Sequence, residues 1–98
     1  MSQFEFDATV IYWRGPSPYF YAPIPPVHTE DIRRASKLVS YGWGAIPVEA
    51  EIDGLRFTTS LFPKDGGYLL PLKTLVRNRN GITAGDTVHI GLTIKPRR

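Results

Sequence analysis

The chain contains no cysteine. That excludes a disulfide framework, a thiolate nucleophile and a cysteine metal site, so stability has to come from packing. Long apolar runs are missing too, and none approaches the ~20 residues that span a bilayer. The opening MSQFEFDATV lacks the basic region and apolar stretch of a secretory signal, so a cytoplasmic protein with no membrane association is expected. Nor is there much charge of one sign. The net charge is +3, from 12 basic and 9 acidic residues, and Lys95, Arg97 and Arg98 alone account for the excess. The body is balanced, and residues 94–98 read as a basic tail.

What is present is ordinary globular usage, 42% hydrophobic and 21% charged in 98 residues, too short to divide into two self-sufficient cores. One domain over residues 1–98 is expected. Phe4, Phe6, Ala8, Val10 and Tyr12 alternate with Glu5, Asp7 and Thr9, predicting one half-buried strand from Phe4 to Trp13. RGPSP breaks it, and YFYAPIPP reads as a short strand that leaves the sheet as prolines accumulate. Thr29 followed by Glu30 and Asp31 predicts a helix start, with Ile32, Ala35, Leu38 and Val39 as its apolar stripe and SYGWG as its stop.

The clearest local pattern is IPVEAEIDGLRFTTSLF, two alternating runs about Asp53-Gly54, the pair that suits a two-residue type I′ turn. The register this predicts sets Ile52 against Leu55, Glu51 against Arg56, Ala50 against Phe57 and Val48 against Thr59. Leu61 then points inward, Ser60 outward, and Pro63 with KDGG stops the strand. YLL is a brief extended segment. Pro71 opens a short helix from Leu72 to about Asn78, with Leu72, Leu75 and Val76 buried. Val88, Ile90, Leu92 and Ile94 alternate as the final strand.

PVEAEIDGLRFTTSLFP, GGYLLPLKTLVRNRNGI and AGDTVHIGL together resemble the small prokaryotic family called domain of unknown function nineteen-hundred-and-five, over nearly the whole chain from Phe4 to Ile94. The resemblance implies a mainly β fold, a small partly open (double-split) β-barrel of about six strands with two short helices. That architecture is shared with AbrB- and MazE-like regulators and antitoxins, whose paired hairpins build dimers that bind DNA through basic residues. The present chain carries the hairpin and a second half of its own, so a swapped dimer is not implied; a monomer or weak dimer is expected.

No catalytic constellation emerges. Ser60 and Lys64 lie four apart across Pro63, which fits neither a serine-x-x-lysine helix turn nor a nucleophile elbow. His28 and His89 are far apart with no metal-ligand spacing, and the glycines of KDGG lack the ending of a phosphate-binding loop. The expectation is a non-enzymatic module with no cofactor and no metal. Tyr12, Trp13, Tyr19, Phe20, Tyr21, Tyr41 and Trp43 put most of the aromatics in the first half. Trp13, Tyr19, Tyr21 and Trp43 are therefore the residues expected to line a cleft for a protein or small-molecule ligand. Lys73, Arg77 and Arg79 form the competing expectation, a basic patch for phosphate or nucleic acid.

Overall fold

The computed structural model describes residues 2–14, 19–36 and 45–95. Nine elements follow one another: β1 (Phe4–Thr9), β2 (Ile11–Trp13), β3 (Tyr19–Pro23), α1 (Pro26–Ser36), β4 (Ile46–Ile52), β5 (Leu55–Lys64), β6 (Gly67–Pro71), α2 (Thr74–Asn80) and β7 (Thr87–Ile94). The strands form one antiparallel sheet in the order β1-β7-β4-β5-β6-β3-β2, curled into a half-barrel. The fold is mainly β with two helices, as expected.

The predicted first strand is two strands, which makes seven rather than six. Val10 is the break. Its N–H donates to the Asp86 carbonyl at 2.8 Å and its carbonyl accepts from the Gly85 N–H at 2.9 Å. Its backbone is therefore claimed by the turn before β7. The chain passes there from β1, at one end of the sheet order, to β2 at the other, and the two ends of the curled sheet are joined by one residue.

The β4–β5 hairpin has the predicted register from Ile52↔Leu55 to Val48↔Thr59, and Asp53 and Gly54 take the positive φ values (50° and 80°) of a type I′ turn. Pro63 does not stop β5. The strand runs on to Lys64, and Asp65 and Gly66 (φ 52° and 80°) make a second two-residue turn into β6. Among the described residues the β4 ladder reaches Ile46↔Leu61, and Pro63, which has no N–H to give, lies beyond it.

Both helices begin elsewhere than the sequence suggests. α1 starts at Pro26, where a proline fits the first turn, and not at Thr29; the predicted stop at SYGWG, with Leu38 and Val39, lies outside the described residues. α2 starts at Thr74, and Pro71 ends β6. The Leu72 N–H still donates to the Phe20 carbonyl at 3.0 Å, so the chain leaves the ladder only at Lys73. The shift turns Leu75 outward, 63% exposed, while Leu72 and Val76 stay buried.

Inward-facing residues of every long strand fill one core, with Ile46, Ile52, Leu61, Leu70, Ile90 and Leu92 fully buried. Each such side chain contributes roughly 1.5–3 kcal/mol relative to exposure. Ile32 of α1 and Val76 of α2 close the core from the inside of the curl. His28 lies against Phe4 and Phe6 at 5.4 and 5.6 Å between ring centres.

Candidate binding surface

Strand alternation decides which rings meet the core. Ala22 and Leu70 are paired and buried, so their neighbours Tyr21 and Pro71, also paired, point to the outer face. The β2–β3 register (Ile11↔Tyr21, Trp13↔Tyr19) puts Ile11, Trp13 and Tyr19 on that same outer face. Phe62, paired with Leu69, joins them from β5. Tyr19 and Tyr21 meet edge-on at 5.7 Å, and Tyr21 and Phe62 stack at 6.4 Å with 23° between their planes. Leu69 is buried yet belongs to no part of the main core, because it sits beneath this outer layer.

The layer is open to solvent. Trp13 is 37% exposed, Phe62 52% and Ile11 36%. Lys64 Nζ lies 4.0 Å from the Trp13 ring centre, a cation–π contact that spans from β5 to β2. Three strand spacings, roughly 14 Å, separate those strands in a flat sheet, so the twisted outer face folds inward along this diagonal. Lys73 borders the face beside the same pair: continuing the β3–β6 register through the Leu72–Phe20 hydrogen bond sets Lys73 opposite Tyr19, the partner of Trp13.

On the inner side of the same ribbon, Tyr12 pairs with Phe20 and their rings lie 4.7 Å apart. Arg14 stands 5.8 Å over Tyr12, and Arg77 stands 3.4 Å over Phe20. Arg77 is thus turned onto an aromatic ring and its Nε is buried without a partner, whereas Lys73 and Arg79 are exposed. The structure brings Trp13, Tyr19 and Tyr21 onto one face, open and not an enclosed cleft; Trp43 lies outside the described residues. Lys73 borders that face, and Arg77 does not point into solvent with Arg79.

Sequence reasoning missed Phe62 and Lys64. The signal was available, since an inward Leu61 places Phe62 and Lys64 on the opposite face. Reading Pro63 as the end of the strand consigned Lys64 to a turn and left Phe62 as the strand's last residue.

The other half of the outer face has the opposite character. Glu5 and Asp7 of β1, Glu49 and Glu51 of β4 and the turn residue Asp53 accompany His89 and Arg56. His89 Nδ1 lies 2.8 Å from Asp7 Oδ1 and Nε2 lies 3.1 Å from Glu5 Oε1, and these bonds, Asp7 first, hold the imidazole above its usual pKa. Both ring nitrogens are occupied, and among the described residues no group of three His, Asp or Glu could hold a metal ion. Gly91, lacking a side chain, leaves a dimple over which Ser2 sits. Two shallow cavities lie there, of about 120 and 370 Å³, with Ser2, Glu51 and Gly91 lining both. Ser60 of β5 pairs with Pro47 of β4, whereas Lys64 is turned onto Trp13.

These features define a small curled β-sheet protein with one aromatic outer surface and one acidic one. The chain belongs to the family described as Domain of unknown function (DUF1905), whose model matches residues 6–92. Comparison with curated proteins finds no match. Among the described residues no helix is long and apolar enough to cross a membrane.

Proposed function

We propose that the chain is a non-enzymatic binding module whose contact surface is the outer face formed by β2, β3 and the β5–β6 hairpin. The observation that carries this is the cluster on a strand framework of exposed Trp13 and Phe62 with half-buried Tyr19 and Tyr21. A small domain gains stability by burying such rings, and a contiguous exposed aromatic patch is the usual mark of a contact site. Tyrosine and tryptophan supply large contact area with little rotamer entropy to lose, which suits them to a rigid recognition face.

Paired surface variants test the reading. A Trp13→Ser/Phe62→Ser protein is expected to keep its circular dichroism spectrum and lose binding to ligands found in a broad peptide, glycan and oligonucleotide screen. Glu49→Gln/Glu51→Gln, on the acidic half, is expected to leave that binding intact. Binding that survives the first pair and disappears in the second contradicts the assignment.

A further inference from the structure

We propose that the occupant of this face is single-stranded nucleic acid, with bases stacked on Trp13, Tyr19, Tyr21 and Phe62 and phosphates met by Lys64 and Lys73; the inference rests on the binding-module reading above and names its ligand.

The carrying observation is how the cations are partnered. The arginines of α1 and β5 sit against carboxylates: Arg33 on Glu30 at 2.9 Å, Arg34 on Asp31 at 2.7 Å and Arg56 on Glu51 at 3.2 Å, with Arg33 also donating to the Gly66 carbonyl in the β5–β6 turn at 2.8 Å. Around the aromatic end the pattern reverses. Arg14, Lys73, Arg77 and Arg79 have no carboxylate partner among the described residues, and every Asp and Glu of the chain is described. Lys64 has only the exposed neighbour Asp65, at 3.5 Å. Meanwhile Glu5, Asp7, Glu49, Glu51 and Asp53 gather on the opposite half of the sheet.

This partition fits a polyanion and orients it. Its phosphates are drawn to the aromatic end and repelled from the acidic half. The rings supply the second determinant. A base has a π-face whatever its identity, and stacking on aromatic side chains beside a cationic groove is how single strands are held without sequence readout. Lys64, over Trp13, and Lys73, opposite Tyr19, set two cations beside the Trp13–Tyr19 pair. A duplex keeps its bases stacked on one another and cannot use the rings. A neutral glycan would use the rings and leave the unpartnered cations idle.

Fluorescence anisotropy of a labelled 12-nucleotide oligo(dT) tests the inference. Each phosphate contact on a single strand contributes about 0.7 to the slope of log affinity against log salt, so two predict a slope near −1.4, roughly a sevenfold loss between about 50 and about 200 mM salt. Lys64→Ala and Lys73→Ala should each make the slope shallower by about 0.7. Tyr21→Ser and Phe62→Ser should weaken binding about fivefold or more while leaving the slope unchanged. A duplex of equal length should bind more weakly than the single strand.

No oligonucleotide binding at low salt overturns the inference, as does binding that the ring variants leave untouched. The exposed Lys73→Ala variant keeps the test valid if a ring variant is unstable. If an acidic peptide, and not the oligonucleotide, binds this face and is lost in Phe62→Ser, the nucleic-acid inference falls and the binding-module reading stands.

Discussion

Arg77 combines a favourable and an unfavourable interaction in one side chain. Its guanidinium lies 3.4 Å over Phe20, a close cation–π contact, while its Nε is buried without a hydrogen-bond partner. The stack and the cover it gives Phe20 outweigh the unpaired donor, so Arg77→Ala is expected to destabilise the fold by about 1 kcal/mol. In a domain of this size that corresponds to a fall of roughly 4–8 °C in a thermal melt; an unchanged Tm would assign Arg77 to solvent instead. His89 offers a pH test. Its hydrogen bonds to Asp7 and Glu5 raise its pKa in the folded state, so the protonated form is the one that tightens β1 onto β7. That contribution is present in full below the unfolded value of about 6.5 and is lost as pH rises through the raised folded pKa. The Tm difference between the wild type and His89→Gln should therefore be larger at pH 6 than at pH 8.5. A difference that grows toward alkaline pH would contradict this.

The two hairpins show how far local chemistry determines an element. Asp53-Gly54 and Asp65-Gly66 adopt nearly the same pair of positive φ angles, and an alanine at either glycine would hold a Cβ in that strained region. Gly66→Ala is expected to cost about 1 kcal/mol, and Gly54→Ala a similar amount, in chemical denaturation. A neutral result would mean that the turns relax to another type. The β4–β5 hairpin was legible because alternation, turn residues and the Glu51–Arg56 pair agree within a short stretch. The second hairpin was not, because a proline reads locally as a stop, and only the pairing of Pro63 with Tyr68 shows the strand running past it. Pro71 misled for a related reason. With the β5 ladder ended at Leu69 and the Leu72 N–H directed to Phe20, the missing proline donor faces the side that has no strand. The aromatic face was legible in part: Trp13, Tyr19 and Tyr21 stood out as ring types, Phe62 followed from an inward Leu61 but was passed over, and Lys64 needed the strand to continue past the proline.

For the whole molecule, the decisive feature is that β1 and β2 are neighbours in sequence and opposite ends of the sheet. No local signal carries this, because the pairing of Val10 with Gly85 and Asp86 bridges the length of the chain. Val10→Pro removes the donor to Asp86 at the seam and should destabilise by about 3 kcal/mol, read by denaturant unfolding; a mild effect would mean that the seam is dispensable. The same curl sorts the outer surface into an aromatic half with unpartnered cations and a polar half rich in carboxylates. The account rests on the first half being the working surface. Two-dimensional NMR of the protein titrated with oligo(dT) tests this most directly. The account predicts that the Trp13 indole signal and the backbone amides of Tyr19, Tyr21, Phe62, Lys64 and Lys73 shift progressively, while Glu49, Glu51 and Gly91 stay in place. Shifts centred on Glu49, Glu51 and Gly91, with the aromatic face unmoved, would contradict it.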